Sequence, residues 1–158
     1  TVRLQPLREE EILQVLSALG LDLPPSAEGQ AALASRAGGS VRSAILLAEY
    51  GGLEIAEAID AVLGETRFGV APTSKIADAV TGREQGIQFG LFNAHLLDTV
   101  SRRAAAAAAD GDAAAADRLA VLWSGMSSAM ADTDTYNLDK RQHVISSLMR
   151  VHRALHGG

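Results

Sequence analysis

Ala37-Gly38-Gly39-Ser40-Val41-Arg42-Ser43-Ala44-Ile45-Leu46-Leu47-Ala48 is the stretch from which the rest of the chain is best read. Two glycines break whatever helix precedes them. Ser40 follows as a helix N-cap, its hydroxyl placed to accept a backbone N–H two or three residues on. Behind it Val41, Ala44, Ile45 and Ala48 recur at helical spacing and face a core. Arg42 departs from the pattern. The macrodipole is positive in a first turn, and an acid there would be better by about 0.3–1 kcal/mol. A cation beside unpartnered N–H groups instead suits an anion, most naturally a phosphate. The plainer alternative is a solvated arginine that carries this small penalty, and on chemistry alone both stay open.

Outward from that helix the chain reads as all-α. Alanine and leucine are abundant, β-branched and aromatic residues are sparse, and no segment sustains strict alternation. Val2 and Leu4, alternating with Arg3 and Gln5, read as the end of a strand that Pro6 stops. A first helix is expected from about Leu7 to Leu19, with Glu9, Glu10 and Glu11 in its first turn as the dipole prefers. Its buried stripe is Leu7, Ile12, Val15, Leu16 and Leu19, and Gly20 ends it. Pro24 and Pro25 fix an extended path. Ser26 then caps a second helix to about Ala37. After the Ser40-capped third helix, Gly51-Gly52 precedes a fourth that runs to about Leu63, with Ile55, Ala56, Ile59, Val62 and Leu63 inward. Gly64 to Ala71 shows little periodicity and is bracketed by Gly64, Gly69 and Pro72. The expected division therefore falls there, with residues 1–66 and 67–158 as two helical subdomains.

In the second part, Thr73 or Ser74 is expected to cap a short helix carrying Ile76, Ala77 and Val80. A long helix follows from about Glu84, with Ile87, Leu91, Phe92, Leu96 and Val100 on one side. It continues into Ala104–Ala109, which favours helix and offers a close-packing surface. Gly111 suits the left-handed residue past a helix end, and Asp112 the next N-cap. The next helix carries Ala116, Leu119, Ala120, Trp123, Met126 and Met130 at core spacing. Ala131 to Tyr136 is expected to turn the chain. Asn137 then caps a last helix with Leu138, Ile145, Leu148, Met149, His152 and Leu155 inward.

The 158 residues suffice for one good core or two small ones. The net charge of −5 argues against a strongly electrostatic grip on nucleic acid. Its distribution is uneven: residues 1–68 carry ten acidic and five basic side chains, residues 69–158 nine of each. After Asp139 only Lys140, Arg141, Arg150 and Arg153 carry charge, which either marks a surface for an acidic partner or complements the helix dipole. The absence of cysteine fits a reducing cytosol and excludes disulfides and thiolate metal sites. No apolar run is long enough to span a membrane, and no export signal is visible. The chain begins at Thr1 rather than methionine and is read as part of a longer protein.

Motifs for self-contained catalysis are missing. There is no glycine-rich loop ending in Gly-Lys-Ser/Thr and no acid pair at a strand end for a magnesium ion, so this stretch cannot be an ATPase by itself. No serine sits in a G-x-S-x-G elbow. His152 and His156 have the i, i+4 spacing of two metal ligands, but they lack the Glu partner of an H-E-x-x-H motif and lie where a cationic histidine suits the helix end. His95 and Asp98 could hydrogen-bond along one helix, or His95 could be a half-buried helix residue. Trp123, the one tryptophan, is either an interface anchor or a core residue. No catalytic residue and no metal site are expected.

Gly39-Ser40-Val41-Arg42-Ser43-Ala44-Ile45 resembles the G-S-x-R-x-A-[LI] sensor-2 segment of the AAA+ ATPase lid. Val2-Arg3-Leu4-Gln5-Pro6-Leu7 is similar to the strand that leaves the ATPase sheet and enters the lid. Asn137-Leu138-Asp139-Lys140-Arg141-Gln142, followed by Val144-Ile145-Ser146-Ser147-Leu148-Met149, resembles the last collar helix of the delta-prime subunits of the bacterial DNA polymerase III clamp loader. The match is motif-like at the sensor-2 segment and the last helix and compositional between them.

The resemblance implies a small lid-type helical subdomain followed by a helical-bundle collar, with the nucleotide-binding module upstream. It implies a cytoplasmic bacterial protein of DNA replication that holds the clamp-loader ring together and couples nucleotide state to loading of the sliding clamp. Arg42 would match the arginine that reaches the terminal phosphate of ATP. Trp123, Leu138 and Arg141 would contact neighbouring clamp-loader subunits through the collar, and the sliding clamp and primer-template DNA would be met only through the whole assembly. No cofactor is expected on this stretch, and ATP would belong with the upstream module. The related gamma/tau subunits share lid and collar and are the nearest alternative. A helical ligand-binding bundle with metal at His152 and His156 is a second. A helical DNA-binding regulator is a third, disfavoured by the acidic first half and the lack of a recognition helix rich in Arg, Lys, Asn or Gln.

Overall fold

The computed structural model describes residues 5–157. Among them the chain is all-α, with eight helices and no strand. The strand end expected at Val2–Gln5 lies, apart from Gln5, outside the described residues. Two compact units are formed, Thr1–Glu54 and Ile55–Gly158.

The first unit contains α1 (Glu9–Ala18), α2 (Ala27–Ala37), α3 (Val41–Glu49) and the first turn of α4 (Gly52–Gly64). Its core is Ile12, Leu16, Leu33, Ala37 and Ala44, with Leu7, Leu21, Val41, Ile45 and Ala48 packed around it. Leu19, expected inward on α1, is 58% exposed. It lies at the C-cap, where the chain turns away through Gly20 at φ 74°. The Gly20 N–H bonds Ser17 O and the Leu21 N–H bonds Leu16 O, a Schellman closure that brings Leu21 back onto the core in place of Leu19. Ser26 caps α2 through Gly29 N–H at 3.0 Å.

The second unit holds the rest of α4, α5 (Val70–Val80), α6 (Gly86–Ala109), α7 (Ala113–Thr135) and α8 (Lys140–His156). Ile59, Val62 and Leu63 of α4 are buried in its core, with Ile55 and Ala58 packed against it. The compact units thus meet within α4, before the boundary expected at residue 66: periodicity revealed the apolar stripe of α4 but not the core that it joins. Helix α5 starts earlier than expected. Pro72 stands in its first turn, where its missing N–H costs little. Thr73 is therefore not a cap. It is buried inside the helix, its Oγ1 donating to Gly69 O at 2.7 Å.

Helices α6 and α7 form a hairpin closed by Gly111 at φ 80°, with Asp112 N–H bonding Ala107 O and Asp112 Oδ1 capping Ala115 N–H at 3.0 Å. The inward stripe of α6 is Phe89, Phe92, Leu96 and Val100. Ile87, expected inward, is exposed because it sits in the first turn, while Phe89 takes the buried place. On α7, Leu119, Met126 and Thr133 are buried and Leu122 and Met130 pack against the core. Ala120 and Trp123 face solvent. Residues 131–135 do not turn the chain but continue the helix: Asp132, Asp134 and Thr135 are exposed, and the buried Thr133 satisfies its hydroxyl by donating Oγ1–H to Ala129 O at 2.8 Å.

The turn comes at Asn137, which adopts φ 49°, a conformation its short polar side chain tolerates. Asp139, not Asn137, caps α8, its Oδ1 accepting Gln142 N–H at 3.0 Å. The buried face of α8 is correspondingly rotated, to His143, Val144, Ser147, Leu148, Val151 and His152. Leu138 is 50% and Met149 40% exposed, contrary to the expected stripe. Each fully buried leucine, valine or phenylalanine in these cores contributes about 1.5–3 kcal/mol relative to exposure.

Candidate functional site

The loop before α3 is built by glycine. Gly38 and Gly39 have φ of 59° and 81°, and the carbonyl of Gly39 accepts Leu7 N–H at 3.2 Å. A Cβ on Gly39 would lie 2.9 Å from both Leu7 N and Pro6 Cα, so the Pro6-Leu7 backbone can approach only a glycine. This fixes where α3 begins. Ser40 Oγ accepts Ser43 N–H at 3.3 Å, as the N-cap reading requires. Ala44 faces inward and Arg42 outward.

Arg42 is exposed, and no ion pair or hydrogen bond of its side chain is found among the described residues. The first turn of α3 holds no acid. The opening N–H groups of a helix have no intrahelical partner. The helix start therefore presents a guanidinium and a positive dipole end to solvent, an arrangement that can take an anion.

The three residues assigned to interfaces lie in the second unit. Trp123 is 41% exposed on the outer side of α7. Leu138 stands in the turn between α7 and α8, its N–H bonded to Thr133 O. Arg141, in the first turn of α8, donates Nη1 to Asp78 Oδ1 of α5 and keeps 43% of its side chain exposed. Trp123 and the end of α7 are separated by about 18 Å along the helix axis. No hydrogen bond, ion pair or ring contact joins these three residues among those described. They are separate exposed positions and not one assembled site.

The histidines are all engaged. His152 donates Nε2–H to Glu65 O at 2.7 Å, and His156 donates Nε2–H to Leu63 O at 2.6 Å. Their rings lie 4.4 Å apart, and Phe68 meets His152 edge-on at 5.5 Å. The i, i+4 spacing thus clasps one carbonyl in the last turn of α4 (Leu63) and one just past its end (Glu65), with both Nε2 atoms committed there. Among the described residues no group of three or more His, Cys, Asp or Glu is placed to hold a metal.

His95 pairs with Asp60 of α4 at 2.8 Å and not with Asp98, which instead pairs with Arg102 at 2.8 Å. His143 is buried between α6 and α8, donating Nε2–H to Asn93 Oδ1 at 3.1 Å and meeting Phe89 edge-on at 5.6 Å. Burial, and then the charge of Arg150, hold its pKa below the usual 6.5. Sequence spacing gave no signal for Asp60–His95, Asn93–His143 or Asp78–Arg141, since each joins helices far apart in the chain.

No helix is long and apolar enough to cross a membrane among the described residues. No protein-family model matches the chain, and neither a curated protein nor a solved structure is significantly similar to it.

Proposed function

We propose that this chain is the lid and collar of a delta-prime-type clamp-loader subunit, working in DNA replication as a non-catalytic coupling and assembly piece. The observation that carries the reading is Arg42. It projects, without a partner among the described residues, from the first turn of a Ser40-capped helix in a compact helical unit of its own. A purely structural first-turn residue would be better as an acid. In this reading Arg42 meets the terminal phosphate of a nucleotide held by an upstream module. The second unit supplies the collar, with Trp123, Leu138 and Arg141 toward neighbouring subunits. The location would be the bacterial cytoplasm, as the lack of cysteine also suits.

The resemblance at residues 39–45 and 137–149 supports the assignment alongside the exposed Arg42. Competition tests it. A chain that carries a collar but no nucleotide-binding module should displace the intact delta-prime subunit from a reconstituted clamp loader and inhibit clamp loading on primed DNA in a saturable way. Unchanged loading at any concentration of the chain would refute the reading.

A further inference from the structure

Helix α7 carries no charged residue for thirteen consecutive positions, Leu119 to Ala131, between Arg118 and Asp132. A helix at a protein surface ordinarily keeps charged and polar side chains on the face it turns to water. The outer face of α6 does so, with Asp98, Arg102 and Arg103 exposed. On α7, Leu119, Met126 and Thr133 are buried at seven-residue intervals, so the opposite stripe runs through Val121, Ser124, Ser128 and Ala131. All four are exposed, Val121 at 73%, and Trp123 stands 41% exposed at the margin of the stripe. Depletion of charge around an exposed aromatic residue is the compositional mark of an interface core.

The charges at the two ends indicate the occupant. Arg118 closes the uncharged span at one end and Asp132 at the other, and both are exposed with no ion pair among the described residues. They lie nearly four full turns apart and so on the same margin of the stripe. A second α7 laid parallel would set arginine beside arginine and aspartate beside aspartate. Laid antiparallel, each Arg118 meets the Asp132 of the other copy.

The stripe also reads alike in both directions. From Asp117 through Val121, Ser124, Ser128 and Ala131 to Thr135 the steps are 4, 3, 4, 3 and 4 residues. A two-fold axis level with Met126 therefore sets Val121 opposite Ala131 of the other copy, Ser124 opposite Ser128, and Asp117 opposite Thr135. Serine and alanine let the helix axes approach to about 8 Å, the close end of the usual range, and such a two-fold contact closes on itself. We infer that the outer face of α7 is a self-association surface, on which a second copy of this chain docks antiparallel with an Arg118–Asp132 pair at each end. The clamp-loader reading is not needed for this contact, since the chain itself is the occupant.

Sedimentation equilibrium on the full chain tests it. The mass should rise with concentration from one chain of 16.5 kDa toward two. Val121→Glu should hold it at one chain throughout, with the thermal midpoint of unfolding at low concentration unchanged. Arg118→Asp and Asp132→Arg should each weaken association, and the two together should restore it. A single-chain mass at the highest concentration, or a dimer that Val121→Glu leaves intact, would overturn the surface. A double reversal that fails to restore the dimer would overturn the antiparallel pairing.

Discussion

The carbonyl oxygen of Gly39 accepts the backbone N–H of Leu7 at 3.2 Å, so the segment before α1 is stitched to the loop that starts α3. The close approach depends on glycine twice over, through its φ of 81° and through the absence of a Cβ beside Pro6 and Leu7. Gly39→Ala should destabilise the first unit by about 1–3 kcal/mol from backbone strain alone, with a further loss from the clash. Gly38→Ala, where nothing lies within 4 Å of the added methyl, should cost less. Urea unfolding of the two variants compares them directly. Equal losses would show that the approach of Pro6-Leu7 is not what Gly39 serves.

Arg42→Glu tests the proposed phosphate contact apart from stability. A first-turn acid should stabilise α3 by about 0.3–1 kcal/mol, because no partner of Arg42 is lost among the described residues. If Arg42 meets a nucleotide phosphate as proposed, the same change in a subunit that carries the upstream module should abolish its nucleotide response. A drop in the midpoint of thermal unfolding would reveal a structural partner for the arginine.

Phe92 and Trp123 should behave in opposite ways. Phe92 is fully buried, and Phe92→Ala should cost about 3–5 kcal/mol. Trp123 is 41% exposed, and Trp123→Ala should cost less than about 1 kcal/mol in chemical denaturation. If Trp123 is an anchor for a neighbouring subunit, the loss should appear in association instead.

His143 gives the second unit a dependence on pH. Its pKa in the folded chain lies below 6.5, so the unfolded chain binds the proton more readily. Stability therefore rises with pH across this window. It should be complete above about pH 6.5, near the unfolded value, and fall as the pH drops toward the lowered folded value. Thermal unfolding between pH 7.5 and 5 should show a smaller decline for His143→Gln, which can still donate to Asn93 but does not titrate. An identical decline in both chains would assign the effect elsewhere.

Much of the fold was legible because it is written in local signals. The caps at Ser26, Ser40 and Asp112, and the left-handed closures at Gly20 and Gly111, are single-residue chemistry that a sequence displays. The errors came where local signals compete. Asn137 and Asp139 both suit an N-cap, and Leu138 and Met149 are apolar positions that α8 leaves exposed while His143, Val144 and Ser147 take the buried face. Pro72 read as punctuation, although a proline in a first turn is compatible with helix. That Ile59, Val62 and Leu63 of α4 join the second core was not legible, because a helix shows which side is apolar, not which of two cores it enters. At the candidate site, Ser40 and Arg42 lie within one helical turn and could be read together. The partners of His95, His143 and Arg141 come from distant helices and could not.

Sedimentation velocity on the chain mixed with gamma/tau-type and delta-type clamp-loader subunits from the same organism tests the central assignment most directly. The lid-and-collar account predicts one stoichiometric complex that contains this chain and is weakened by Trp123→Ala. A chain that sediments alone at every ratio of the mixture would contradict it.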